Sequence, residues 1–208
     1  MKIFRCLSMT CCVVIAVAGL GSIDANAQGR SLGVNKPNLV PNTVFELDVR
    51  TIRGPMKLTK KFLKKEGNVL VFRNAGRVVS RETERTTENL ATISYTRSNG
   101  FVRERYQPHD GLLSFPLYVG KRWELSHAIK RGKGPDRRAK RSCHVPKFEQ
   151  VTGGYSAYRI QCMVYRSDGN HLREVHDYAP KVGYIVSFTR HKGLNKILEW
   201  RLLKVTRP

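Results

Sequence analysis

The sequence predicts a mainly all-β protein whose antiparallel sheet is curled, or forms a half-barrel, of about ten strands. From Thr43 onward, apolar and polar residues mostly alternate with a period of two, which is typical of half-buried strands. The alternating segments are short, with glycine, proline and asparagine between them, and these are turn residues. Hydrophobic residues make up 40% of the 208 residues, enough for one domain with a sizeable core.

The strands of the first half follow in chain order. The alternation from Phe45 to Val49 predicts the first of them. Asn99-Gly100 predicts a hairpin because both turn positions tolerate a positive φ, and a two-residue loop there pairs Ile93 with Tyr106. The further strands of this half are predicted over residues 69–73, 92–97, 101–106, 112–117 and 122–129.

The strands of the second half are predicted over residues 143–151, 155–166, 171–178, 184–189 and 197–205. One earlier segment, residues 56–66, fits two structures. Its C-terminal lysines with Gly67 just beyond would suit one short helix, whereas Leu58 and Phe62 on one face would suit a strand. The sequence leaves both alternatives open.

The first 27 residues have the layout of a cleavable secretory signal. Lys2 and Arg5 form a basic start, an apolar run extends from Cys11 to Leu20, and Ala25-Asn26-Ala27 supplies small residues for a signal peptidase. The apolar run is too short to span a bilayer. We therefore expect cleavage between Ala27 and Gln28 and a periplasmic or secreted mature protein.

The rest of the chain is expected to form a flexible leader over residues 28–42 and a single β-rich domain over residues 43–208. Cleavage removes three of the five cysteines and leaves Cys143 and Cys162. In an oxidising compartment such a pair predicts a disulfide. A hairpin with Thr152-Gly153 as its loop also places the two cysteines opposite each other, within disulfide range. Free thiols and a metal site are the alternatives.

The formal net charge is +22, and the basic residues are densest in segment 130–141. Glycine, proline and aspartate predict that this segment is a loop between two strands. Its seven basic residues are the candidate site for an anionic partner: Lys130, Arg131, Lys133, Arg137, Arg138, Lys140 and Arg141. The alternative is a solvated, self-repelling loop. Nucleic acid is disfavoured as the partner because the protein is expected to be exported.

No catalytic residue, metal site or cofactor is predicted. The six histidines match no zinc spacing, and no serine elbow or phosphate-binding glycine loop is present. Glu174 and His176 share one face of a predicted strand and would suit an acid–base pair. The alternative is a simple contact between neighbouring side chains of a strand face.

Two stretches resemble those of a group of secreted bacterial proteins of unknown function. The stretch from Ser114 to Trp123 resembles their FPL-x-VGK-x-W pattern, and the stretch from Tyr178 to Val186 resembles their Y-x-P-x-VG-x-IV turn. The resemblance covers residues 106–205. It implies a curled antiparallel sheet similar in shape to periplasmic lipoprotein carriers, and it implies no activity. Segment 130–141 departs from the group.

These observations lead to three functional hypotheses. The first is a periplasmic, non-catalytic protein that contacts an anionic or amphiphilic envelope component, such as a lipid, lipopolysaccharide or an acidic glycan, with peripheral contact to the membrane. The second is an assembly module that recognises an acidic envelope protein. The third is a hydrolase of envelope polymers that uses Glu174 and His176. Oligomeric state is not predicted.

Overall fold

The computed structural model describes residues 33–76 and 81–208, and over these ranges it contains β-strands and no helix. The predicted all-β antiparallel fold is confirmed. The strands are β1 (Val44–Thr51), β2 (Gly54–Glu66), β3 (Val69–Gly76), β4 (Glu82–Thr87), β5 (Thr92–Arg97), β6 (Val102–Gln107), β7 (Arg122–Arg131), β8 (Arg137–Val151), β9 (Tyr155–Arg166), β10 (Leu172–Ala179), β11 (Tyr184–Lys192) and β12 (Asn195–Thr206).

The sheet closes into a barrel of twelve strands. Each strand pairs with its neighbours in the chain, and β12 pairs with β1 from Val44↔Thr206 to Thr51↔Leu198. The expected half-barrel of about ten strands is therefore completed. Closure leaves neither terminal strand with an unpaired edge, which is the part of a sheet most prone to pair with other chains.

Three segments account for the difference in strand number. Residues 56–66 belong to β2, so the strand alternative is the one that forms. Strand β4 was not predicted, because its inward residues Glu82, Glu84 and Thr86 are polar and give no hydrophobic alternation. Residues 112–117 were predicted as a strand but belong to the β6–β7 connection, where only Leu117 forms a bridge, with Val34.

The predicted disulfide between Cys143 and Cys162 is present, with the two Cα atoms 4.1 Å apart. The β8–β9 turn contains three residues rather than the predicted two, since Val151 pairs with Tyr155. A β-bulge between His144 and Lys147 offsets the additional turn residue. The cysteines therefore face each other as predicted, although the turn differs.

Because the strands alternate in direction, their connections lie at two ends of the barrel. At one end, which we call the closed end, the β6–β7 connection and residues 33–42 pack against the barrel core. The interior there is filled by large side chains, with Phe45 stacked on Tyr184 at 4.3 Å between ring centroids. The opposite end, which we call the open end, carries the β1–β2, β5–β6, β7–β8, β9–β10 and β11–β12 turns.

The two stretches that carry the resemblance meet at the closed end. The Phe115 ring packs edge-on against the Tyr178 ring, with centroids 5.2 Å apart. Lys121 donates hydrogen bonds to the carbonyl oxygens of Ser114 and Pro116 at 2.6 and 2.7 Å. Gly183 turns the chain with a φ of 73°, a conformation that favours glycine. These contacts give both stretches a structural role.

Candidate functional site: a cavity with one apolar and one charged wall

A cavity of about 490 Å³ lies inside the barrel between the filled core and the open end. Its volume falls within the range of small-molecule binding sites, about 300–1,000 Å³. Tyr184 lies at its inner end, and Thr51, Arg103 and Arg190 lie near the open end. The partial exposure of the Arg103 and Arg190 side chains, 40% and 30%, shows that solvent reaches the cavity from this side.

One wall of the cavity is apolar. It is built by β1, β2, β11 and β12, whose alternation directs apolar side chains inward while Asp48, Lys57 and Glu199 lie on the other face of the same strands. The side chains of this wall are Leu47, Val49, Met56, Leu58, Phe188, Leu198 and Trp200. The apolar wall is continuous across the closure of the barrel because β1 pairs with β12.

The rest of the cavity lining is a charged wall that contains buried ions in two networks, and two of their cations, Lys60 on β2 and Arg190 on β11, lie on strands that also carry the apolar wall. In the first, Lys60 forms an ion pair with Glu84 at 2.7 Å, and the Asn74 amide donates a hydrogen bond to the same carboxylate at 2.9 Å. Burial lowers the pKa of Lys60, but the charge of Glu84, the neighbouring Tyr184 and the hydrogen bonds to both together outweigh burial, and the net pKa is raised. Lys60 therefore stays charged, with Nζ 4.7 Å from the Phe72 ring centroid.

The second network is centred on Glu174, whose side chain is only 1% exposed. Its carboxylate accepts hydrogen bonds from Arg141 at 2.6 Å and from Arg190 at 2.8 Å, and lies 3.3 Å from Nε2 of His176. Burial raises the pKa of Glu174, but the two guanidinium groups and the contact with His176 together outweigh burial, so the net pKa lies well below the ordinary value. Glu174 is therefore ionised at neutral pH.

His176 remains neutral in the same network. Burial lowers its pKa, and the neighbouring Glu174 carboxylate only partly offsets that effect. The expected Glu174–His176 contact thus exists, but the carboxylate is engaged by Arg141 and Arg190 and carries no proton to donate. This arrangement commits the Glu174 carboxylate to ion pairs inside the barrel.

Among the cations that line the cavity, Arg103 and Arg190 lie nearest the open end. Arg103 pairs with Glu82 at 2.7 Å, and its guanidinium lies 4.7 Å from the Tyr95 ring centroid. The guanidinium of Arg190 lies 5.2 Å from the Phe188 ring centroid, where the apolar and charged walls meet. These partly exposed cations are placed to meet a ligand that enters from solvent.

The predicted basic site has a different form from the one expected. Segment 130–141 is not a loop: it comprises the end of β7, a turn over residues 132–136 and the start of β8. Because side chains alternate along β8, Arg138 and Lys140 are exposed, whereas Arg141 is buried in the Glu174 network. Arg141 is therefore separated from the exposed basic residues of the segment.

Most exposed basic residues of this segment have acidic partners. The pairs are Lys130 with Asp136, Arg131 with Glu104, Arg137 with Asp168 and Lys140 with Glu124. Lys133 and Arg138 have no acidic partner among the described residues. Lys130 and Arg131, with Arg105, also line a second, more open depression of about 440 Å³ near the β7–β8 turn.

Sequence reasoning missed Lys60, Glu84, Arg103 and Arg190 as parts of one site. The available signal was charged residues at inward positions, as in the alternation of Glu82 and Glu84 along β4. That signal can be recognised only once the strand is assigned, and strand assignment relies on apolar alternation. The partners, in addition, lie on strands distant in sequence.

The fold and the cavity define a closed antiparallel barrel with an interior space of ligand size. Comparisons with protein-family models, with curated proteins and with solved structures find no match to this chain. The residues that the structure describes include no cluster of three or more histidine, cysteine or acidic side chains suited to a metal ion. They also include no helix that is long and apolar enough to cross a membrane.

Proposed function

We propose that the barrel is a non-catalytic binding protein that holds an amphiphilic small molecule in its cavity. The observation that carries this proposal is the contrast between the two walls of one cavity of about 490 Å³. Apolar walls supply most of the contact in ligand pockets, and a few polar groups fix orientation. The apolar part of the ligand would lie along Met56, Leu58 and Trp200, opposite the ionic networks.

The charges favour an anionic group on this ligand. Lys60 and Arg141 are deeply buried and committed to Glu84 and Glu174. Arg103 and Arg190 also have acidic partners, Glu82 and Glu174, but they remain partly exposed beside the cavity, and arginine forms bidentate hydrogen bonds with carboxylates and phosphates. A ligand with its anionic group near the open end would satisfy both the arginines and the apolar wall.

The N-terminal segment supports an envelope component as this ligand. The secretory layout of residues 1–27 lies outside the described residues and stays a sequence prediction. After export, a protein is surrounded by the lipids, lipopolysaccharide and glycans of the envelope and no longer by cytoplasmic metabolites. Of these, lipids and the lipid portion of lipopolysaccharide combine acyl chains with anionic groups, which matches the two walls.

Binding of 1-anilinonaphthalene-8-sulfonate, a fluorescent amphiphilic anion, tests the proposal. We expect saturable binding to one site, with displacement by monomeric lysophosphatidylglycerol. In the Met56→Trp variant a larger side chain occupies the cavity beside the apolar wall, and affinity should fall at least tenfold. The matched control is Met163→Trp, which places the same change on the exposed face of β9.

Two results would overturn the proposal. One is the absence of saturable binding in the unmodified protein. The other is equal affinity in the Met56→Trp and Met163→Trp variants, because the probe would then bind outside the cavity. Circular dichroism of both variants shows whether the barrel is retained. If Met56→Trp does not fold, Leu198→Asp tests the same wall by polarity instead of volume.

A further inference from the structure

Two large apolar side chains project from the open end into solvent. Ile52 is 80% exposed and Leu194 is 100% exposed, the highest values among the exposed large apolar residues that the structure describes. Ile52 lies in the β1–β2 turn and Leu194 in the β11–β12 turn. Because β1 pairs with β12, the two turns belong to the same side of the barrel.

That side carries the apolar wall of the cavity. Thr51, the last residue of β1, pairs with Leu198, so β12 and its turn extend past the end of β1 to Leu194. Four residues of strand correspond to about 13 Å. The apolar surface of Val49 and Leu198 inside the barrel therefore leads toward the exposed tips at the opening.

The open end also carries exposed cations without acidic partners. Five exposed basic residues in or beside its turns have no ion pair with any described residue: Arg53, Arg81, Arg97, Lys133 and Lys192. Some cations of the closed end are engaged, whereas Arg122 and Lys181 at that end are exposed and also have no acidic partner among the described residues. Lys36 and Lys65 both pair with Glu88, and Lys121 binds two backbone carbonyl oxygens. The five unpaired cations of the open end nevertheless place positive charge around the cavity opening.

We infer that the open end docks on an anionic lipid bilayer. Ile52 and Leu194 insert below the lipid headgroups, while the five unpaired cations meet the lipid phosphates. This inference rests on the proposed function, because it places the cavity opening against the membrane, where an amphiphile can pass between bilayer and barrel. Apolar side chains beside basic residues are the composition of interfacial membrane contacts, which reach about 5–10 Å below the surface.

The geometry favours a bilayer over an acidic protein. Ile52 and Leu194 project from separate turns and line neither of the two cavities described above. A deformable lipid surface accepts such separate tips. The cations lie in or beside five different strand connections of the same end, which suits an extended negative surface more than a small acidic patch.

Co-sedimentation with vesicles tests the inference. We expect the purified protein to bind vesicles containing phosphatidylglycerol, to bind phosphatidylcholine vesicles at least tenfold more weakly, and to lose affinity in high salt. Ile52→Asp/Leu194→Asp should weaken binding about tenfold per residue. Val40→Asp/Val119→Asp, the matched change on half-exposed valines near the closed end, should leave binding unchanged.

The outcomes separate docking from ligand binding when the naphthalene sulfonate probe is measured on the same preparations. Equal vesicle binding by the Ile52→Asp/Leu194→Asp variant and the unmodified protein would overturn the inference, as would equal binding to both lipids. Retention on an acidic-protein column without vesicle binding would overturn it in favour of a protein partner. A protein that binds the probe but no vesicles retains the proposed function and loses only the docking surface.

Discussion

Individual residues inside the barrel depart from the rule that charged side chains lie outside. Glu174, Arg141 and Lys60 are buried, and each has an ionic partner within 2.7 Å. Pairing offsets the cost of removing a charge from water, but such a network is stable only while it is complete. The interior charges are therefore a point at which a single substitution has a large effect.

Replacing Glu174 with glutamine should lower the free energy of unfolding by about 3 kcal/mol. The substitution keeps the size of the side chain and removes the negative charge, which leaves the buried Arg141 guanidinium without its closest anion. Urea unfolding followed by circular dichroism measures the change. We expect the variant to be less stable because the Arg141 guanidinium stays inside the barrel, removed from water and without the carboxylate that balanced its charge.

The control for this substitution is Glu124→Gln. Glu124 pairs with Lys140 at 2.7 Å on the exposed face of β7 and β8, and solvent-exposed ion pairs contribute little to stability. If Glu174→Gln lowers the free energy of unfolding no more than Glu124→Gln does, the view that the Glu174 network supports the barrel is contradicted.

At the scale of elements, the β8–β9 hairpin shows why a register argument succeeded. The predicted two-residue turn is wrong, yet the Cys143–Cys162 pairing is right because a bulge restores the register beyond the turn. The β5–β6 hairpin behaves similarly. Ser94 pairs with Arg105 in the predicted register, and a shift by one residue occurs only next to the turn. Burial of alternate residues fixes register more strongly than the turn does.

Removing the disulfide should lower the free energy of unfolding by about 3 kcal/mol. Cys143 and Cys162 are 19 residues apart, and closing a loop of that length restricts the unfolded chain by about this amount in the chain-entropy model. Thermal unfolding of the oxidised protein, compared with that of the chemically reduced protein and of the Cys143→Ser/Cys162→Ser variant, measures the effect. Equal stability of oxidised and reduced protein would contradict it.

Whether a strand could be predicted from the sequence depended on the polarity of its inward-facing side chains. Strands with apolar inward faces, such as β9 and β12, were predicted from alternation alone. Strand β4 was missed because Glu82 and Glu84 point toward other strands' cations rather than toward an apolar core. Arg141 was grouped with exposed cations because a presumed loop concealed the alternation of β8. The cavity could not be predicted, since it depends on which strands face each other after closure.

At the scale of the whole molecule, the two ends of the barrel differ in how far they are filled. The closed end is packed by Phe45, Phe62 and the β6–β7 connection, and the open end holds the cavity. The net charge of +22 opposes compaction through self-repulsion. Unpaired cations around the opening contribute to that repulsion without contributing an ion pair.

Neutralising the open end should therefore preserve or raise stability, although it weakens binding to anionic vesicles. In the Arg53→Gln/Arg81→Gln/Lys133→Gln/Lys192→Gln variant no ion pair is lost among the described residues, so repulsion is the only charge effect removed. We expect a melting temperature at or above that of the unmodified protein in low salt, and a smaller rise when salt is added. Calorimetry at two salt concentrations measures both.

The contrasting variant is Lys36→Gln/Lys65→Gln at the closed end. Hydrogen bonds from these two lysines lower the pKa of Glu88 to about 2, so the pairs add stability above the ordinary pKa of about 4.3 and lose it as pH falls toward 2. Removing both lysines should lower the melting temperature at neutral pH and reduce its fall in acid. If the open-end variant were instead the less stable one in low salt, those cations would have structural partners, and their availability to an anionic surface would be contradicted.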